Sequence, residues 1–336
     1  MRFNTKIVFS FIIVLIMSKS VIAQDIHFSQ FFNSPLTLNP STTGDYDGNW
    51  RLINNYRRQW DFIKVPYETV GVGFDAPLSY RNNNLGAGLQ FISDHSGDSR
   101  LSVTKVHASF AYHKKWNNQY IHAGLQAGIV SKSYNIDALT FPNQYNYETG
   151  FFDNQLNNGE TGLGDKTSYF DLNFGLGWQA DFNSLKPFAG LAFFHINKPQ
   201  ESFGFDNVLP VRSVVNVGVD YDFNGKIHFI PGILYMSHSG ASDLLIGVRA
   251  KSLVPVDLID YVYLGPYFRG DFINNRDAAV IVAGFEIKNF QVCISYDVNI
   301  SSLKQATNYR GAFEFSIIYT QESTKVYKTS IPCERY

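Results

Sequence analysis

Residues 168–180 read SYFDLNFGLGWQA. Phe170, Leu172, Phe174, Leu176 and Trp178 alternate with Asp171, Asn173, Gly175, Gly177 and Gln179. Side chains of a strand point to opposite faces with period two, so this stretch has one apolar face and one polar or glycine face. The pattern recurs on both sides of it. In 119–132, Ile121, Ala123, Leu125, Ala127 and Ile129 oppose His122, Gly124, Gln126 and Gly128. In 213–222, Val215, Val217, Val219 and Tyr221 oppose Asn216, Gly218, Asp220 and Asp222. In 290–299, Val292, Ile294, Tyr296 and Val298 oppose Gln291, Ser295 and Asp297.

From Asn49 onward the chain reads as a series of such runs, each about ten residues long and set off by turn residues. The expected strands are 49–60, 67–77, 84–92, 102–113, 119–132, 168–180, 186–194, 213–222, 226–237, 242–250, 261–269, 278–287, 290–299 and 311–320. Odd connectors include the long ones, 133–167, 195–212 and 301–310, whereas even connectors are mostly tight. Long loops on one rim and short turns on the other are expected of an outer-membrane barrel. The one even connector that breaks the rule is 251–260. The sequence therefore predicts an all-β fold, a transmembrane antiparallel β-barrel of about fourteen strands. An even strand number would put both termini in the periplasm. Pro187, Pro231 and Pro266 fall within or at the start of expected strands, where a missing ladder donor predicts bulges or strand ends.

Composition agrees. Charged residues make up 17%, below the usual share of about 25%. Aromatics reach 16%, with 29 Phe and 20 Tyr, and many are expected in interfacial girdles. A secreted soluble β-sandwich also alternates, but it explains neither the missing charge nor the connector parity. The net charge of −1 gives no footprint for nucleic acid.

The first residues carry Arg2 and Lys6, an apolar run over 7–17, and the small residues Val21 and Ala23 before Gln24. This predicts a cleaved signal peptide at 1–23. An irregular lead-in follows at 24–48, then the barrel at 49–320 and a periplasmic tail at 321–336. Cys293 and Cys333 lie on different elements and lack metal or redox spacing. An oxidising periplasm would permit a disulfide between them.

Chemistry-bearing constellations are sparse. His107 and His122 project to polar faces of neighbouring strands, but two histidines without a third ligand do not define a metal site. Asp94-His95-Ser96 are adjacent and cannot by themselves build a triad. Gly71-Val72-Gly73-Phe74-Asp75-Ala76 lies inside a strand pattern without the following helix a dinucleotide site requires. Strand glycines of this kind leave room for other chain to pack inside a barrel. No catalytic residue, metal or cofactor is expected. Arg51, Arg57 and Asp75 should face the lumen, as an ion-pair ladder, as a hold on a plug, or as a solvated wall.

The opening of the expected mature chain, Phe28-Ser29-Gln30, then Asn39-Pro40, Gly44, Tyr56-Arg57 and Gln59-Trp60, resembles that of the PorP/SprF family. Further matches follow in order. They include Asp137 with Leu139-Thr140-Phe141 and Gln144, then His195, Asn197, Pro199 and Ser202-Phe203. Gly265-Pro266-Tyr267-Phe268-Arg269, Asp277-Ala278, Ser295-Tyr296-Asp297, Ser301-Ser302-Leu303, Gly311-Ala312-Phe313-Glu314 and Pro332-Cys333 complete the series. Ser41-Thr42 departs from the small or aromatic residues usual there. The resemblance implies an integral outer-membrane component of the Bacteroidota type IX secretion system. It also implies a role in secretion or surface attachment of cargo such as adhesins with a gliding-type C-terminal domain, and contacts with other proteins of that machinery.

A barrel this wide leaves a lumen unless something fills it. Segment 24–48, with Phe28, Ser29, Gln30, Asn39, Pro40 and Gly44, is the expected plug. The long loops carry Phe141, Tyr145, Tyr147, Phe151, Phe152, Phe203 and Phe205, aromatics of the kind that anchor protein interfaces. The expected partners are outer-membrane lipid, secretion machinery and secreted cargo. The competing function is a diffusion porin or small-solute uptake channel.

Overall fold

The alternating runs pair each with the next, and the last returns to the first. The computed structural model describes residues 25–323, apart from 62–64, 81–82, 98–100, 137–138, 154, 160–163, 204–206, 257 and 272–275. The expected signal peptide, nearly all of the tail, Phe205 and Cys333 therefore lie outside the described residues. The strands are β1 (Trp50–Gln59), β2 (Tyr67–Tyr80), β3 (Asn83–Ser96), β4 (Leu101–Trp116), β5 (Gln119–Ser133), β6 (Lys166–Ala180) and β7 (Leu185–Phe194). They continue as β8 (Arg212–Asp222), β9 (Ile227–His238), β10 (Ala241–Val256), β11 (Ile259–Gly270), β12 (Arg276–Ile287), β13 (Phe290–Asn299) and β14 (Arg310–Gln321). Among the described residues these fourteen form one closed antiparallel barrel. Closure is made by β1 against β14, with Trp50 opposite Gln321 and Arg57 opposite Glu314. Among the described residues the barrel has no unpaired edge, which a hydrocarbon environment requires.

Burial inverts the soluble pattern. In β6, Phe170 is 55% exposed while Asp171 and Asn173 are each 1% exposed. Leu89, Val106, Phe110, Leu125, Ile129, Leu264 and Ile281 likewise face outward, and Gln90, His107, Ser109, Gln126 and Ser295 are buried. An apolar exterior with polar groups inside suits lipid, where exposed charge is costly. No helix among the described residues is long and apolar enough to cross a membrane, which says nothing about strands.

The three prolines lie inside continuous strands rather than at bulges or ends. Pro231 is in register with Val248, and the ladder lapses on its β8 side; Pro266 is in register with Ile281, and the ladder lapses on its β10 side. Each strand residue donates to one neighbour only, so a proline weakens one ladder and spares the other. The 251–260 connector also changes character. β10 runs on to Val256 and β11 begins at Ile259, with a register shift between Leu253 and Val256, so the join is a tight turn on the short-turn rim. Of the aromatics, Trp50, Phe74, Tyr319 and Phe290 cluster toward the short-turn rim. Tyr169, Phe194 and Tyr267, by contrast, are buried and pack inward.

Candidate functional site

Residues 25–48 run through the inside of the barrel, from the long-loop half to the short-turn rim where β1 starts. Short turns shape them: Phe31–Asn33, Pro35–Leu38 and Pro40–Thr42. Prolines at the first position of two of these turns fix φ where no intrahelical donor is needed. The Asn39 side chain caps the third by accepting from Ser41 N at 2.9 Å.

At the long-loop end the segment meets two buried charge clusters. The first surrounds Phe28-Ser29-Gln30. Phe28 is buried, with its ring beside Gly71. Glu314 accepts from Ser29 N (2.7 Å) and Gln30 N (2.8 Å), and from Arg57 across the strand junction. Ser29 Oγ donates to Asp297 at 2.8 Å and accepts from Arg57 (2.9 Å) and Arg269 (2.6 Å). Arg269 also pairs with Asp277 and Asp297. Gln30 Nε2 donates to Ser295 at 3.0 Å, and its carbonyl accepts from Ser316 at 2.8 Å. The bonds that involve Glu314, Asp297, Arg57 and Arg269 are charge-assisted and desolvated, each worth about 1.5–3 kcal/mol; the two between Gln30 and serine hydroxyls are neutral. The geometry thus joins Ser29 directly, and Gln30 through Glu314, to Arg57.

The second cluster surrounds Asp25. Its carboxylate pairs with Lys105, with Arg212 at 2.9 Å and with His195 at 3.3 Å. Asp171 accepts from His195 at 2.7 Å and from His107 at 3.1 Å. Burial pushes the Asp25 carboxyl up, but Lys105, Arg212 and His195 outweigh it and hold it well below the usual range. Burial pulls the His195 imidazole down, and its bonds to Asp171 and Asp25 reverse this, leaving it raised. His27 is brought down to about 3 by burial and by the guanidinium groups of Arg269 and Arg57.

Midway, Asn39-Pro40 rests on a floor of glycines. A Cβ at Gly124 would lie 2.4 Å from the Pro40 carbonyl, one at Gly175 1.9 Å from Asn39 Oδ1, and one at Gly86 2.0 Å from Thr43 O. Asn39 Nδ2 donates to Leu176 O at 2.9 Å. Beyond it, Gly44 takes φ 73°, and its N–H donates to Asp75 at 2.8 Å. Arg51 clasps the same carboxylate through two bonds of 3.0 and 2.8 Å. Gly44, Arg51 and Asp75 therefore form one unit at the short-turn end. Between this unit and the rim lies a cavity of about 860 Å³, walled by Phe31, Phe32, Phe188, Tyr267 and Arg249 and by the polar Asp45, His113 and His122.

The loop aromatics are not all displayed. In 134–165 a small hairpin pairs Tyr145 with Phe152 and Asn146 with Phe151. Tyr147 is 89% and Phe151 75% exposed, and Phe152 is also exposed. Phe141 and Tyr145 are half-buried, Tyr145 because it packs edge-on against Tyr147 and Phe152. Phe203 is half-buried, held edge-on by Tyr134 with ring centres 4.9 Å apart.

Sequence reading missed Asp25, Lys105, Asp171, Arg212, Arg269, Asp297 and Glu314 as a joined set. Parity was the available signal for three of them: Asp171 lies between Phe170 and Leu172, Asp297 between Tyr296 and Val298, and Glu314 between Phe313 and Phe315, whereas Asp25 lies in a segment without alternation. It also placed His122 near His107, whereas His122 pairs with His113 and His107 with Asp171.

Comparison with known proteins places these observations. The family described as type IX secretion system membrane protein PorP/SprF matches residues 20–319. Among solved structures, the TodX deltaS2S3 mutant monoaromatic hydrocarbon channel is similar over 87% of this chain and 94% of its own, at 12% identity and TM-score 0.52. The Ralstonia pickettii toluene transporter TbuX is similar over 86% and 93%, at 12% identity and TM-score 0.52. At these identities the likeness concerns the barrel fold. No curated protein matches the chain.

Proposed function

Because the chain belongs to the PorP/SprF family of type IX secretion system membrane proteins, we propose that it supports secretion or surface attachment of cargo with a gliding-type C-terminal domain. Family and fold are those of an outer-membrane component of secretion rather than of a known enzyme class. In this reading residues 1–23 are removed on export, the short-turn rim and both termini of the barrel chain face the periplasm, and the long loops face outward. The observation that carries the proposal is the seated segment 25–48, tied to the wall at three levels. On this reading the segment occupies the barrel interior and leaves the loops as the displayed parts. Tyr147, Phe151 and Phe152 supply an exposed aromatic cluster for cargo or a machinery protein. Partners on the periplasmic side meet the short-turn rim.

The test is the surface and extracellular proteome of a clean deletion strain. Loss of one or a few large surface proteins, restored by the gene, is the expected result. An unchanged proteome overturns the proposal. The aromatic-walled cavity of about 860 Å³ favours one second reading, a small-solute channel of the kind the named hydrocarbon channels represent. Steady conductance or solute flux in planar bilayers would establish it.

A further inference from the structure

The short-turn cavity holds a cluster that the secretion reading does not use. His113 on β4 and His122 on β5 are direct cross-strand partners, both turned inward and buried. Asp45, on the segment just before β1, reaches toward them, and one ligand-capable atom from each of the three lies within 4.8 Å of the others. All three line the cavity.

The hydrogen bonds fix the tautomers. His113 Nε2 is 2.9 Å from Thr43 O, an atom that can only accept, so Nε2 carries the proton. A neutral His113 then presents a lone pair at Nδ1. His122 Nδ1 lies 2.7 Å from it and must donate. That leaves a lone pair at His122 Nε2. This atom is buried, has no hydrogen-bond partner among the described residues, and lies 3.8 Å from Asp45 Oδ2. An unpaired acceptor therefore faces a carboxylate across a gap, an arrangement that asks for a cation between them.

We propose that Asp45, His113 and His122 bind a divalent transition-metal ion of the zinc type. Two imidazoles and one carboxylate are a donor set for such ions, and the cavity leaves the fourth position open to water. Zinc bonds of about 2.0–2.1 Å put ligand atoms roughly 3.3 Å apart, so the His122–Asp45 gap closes by about half an ångström on loading. The His113 Nδ1 lone pair that accepts from His122 Nδ1 is turned to the ion instead, so the hydrogen bond between the two rings is given up on loading. The ion joins the lumen segment to the wall, because Asp45 lies on the former and both histidines on the latter. The assignment does not depend on the cargo proposal.

The experiment uses full-length, tag-free protein in detergent, incubated with zinc chloride and desalted. Bound zinc is measured by elemental analysis and thermal stability by circular dichroism. One equivalent of zinc and a raised Tm are expected for the parent. His122→Gln and Asp45→Asn should each lose the zinc and the Tm rise, while keeping the parent's Tm without metal. Asp45 is partly exposed at the cavity edge, so D45N reports even if H122Q folds poorly. Zinc no higher than the buffer blank in the parent, or equal zinc in parent and D45N, overturns the assignment.

Discussion

Replacing Glu314 by Gln should release the lumen segment without unfolding the barrel. The carboxylate is fully buried and takes Ser29 N, Gln30 N and Arg57 on its two oxygens. An amide has the same shape but turns one acceptor into a donor, so whichever way it flips a donor faces a donor. At least one charge-assisted bond is lost, about 1.5–3 kcal/mol. Arg57 also loses one counter-ion of a buried pair, a change worth about 3–5 kcal/mol when no other partner remains. Asp297 does remain, at 3.2 Å. The sum belongs near about 3 kcal/mol, or roughly a hundredfold in the ratio of seated to released segment. The segment contains no Lys or Arg, so chymotrypsin is the probe, cutting at Phe28, Phe31 and Phe32. Cleavage in micelles should rise sharply in E314Q and stay at the parent's rate in D61N. Asp61 pairs with Arg58 on the surface, where such pairs contribute little. Parental cleavage in E314Q would refute the idea that this carboxylate holds the segment.

Other expectations follow from the same geometry. Gly124→Ala places a methyl 2.4 Å from the Pro40 carbonyl and should weaken seating by about 1–3 kcal/mol, whereas Gly232→Ala, with no neighbour closer than 3.8 Å, should behave as the parent in the same chymotrypsin assay. Acid should loosen the segment. His27 stays neutral when seated, down to about pH 3, and titrates near about 6.5 when released. The released state therefore binds more protons between these values, and seating weakens as pH falls through that window. His27→Gln should flatten this part of a cleavage-versus-pH profile, leaving the loss below the ordinary carboxylate range that Asp25 imposes. The raised His195 acts oppositely, its contribution being present below its ordinary pKa and lost as pH rises through the raised one. Joint replacement of Tyr147, Phe151 and Phe152 by Ser should leave the barrel's Tm unchanged and reduce surface cargo in the proteome.

The barrel was legible because its signal is local and repeated. Phe170 to Trp178 state a face on their own, and the connectors around them state a parity. Gly71 and Gly73 also declared themselves, and the ring of Phe28 and the isobutyl side chain of Leu36 now fill the space they leave. The join at 251–260 misled because Pro255 and Asp257 read as a loop, whereas β10 runs on through Pro255 with a shift of register. What could not be read was partnership. Asp25 meets Lys105, Arg212 and His195 from a segment without periodicity, and nothing near Asp25 names strands so distant in the chain. Phe203 was misjudged for the same reason, since exposure depends on Tyr134 crossing over it.

The junction between β1 and β14 carries a consequence for how the molecule is made. Arg57 and Glu314 stand opposite each other there, 257 residues apart in the chain. Ser29 and Gln30 dock onto groups that come together only when that junction zips. The part of the protein synthesised early thus waits for the final strand before its amides find acceptors. A half-assembled molecule, open along this line, leaves its N-terminal segment unbound and open to proteases. Occupancy of the lumen thus distinguishes a barrel whose first and last strands are joined from one in which they are not.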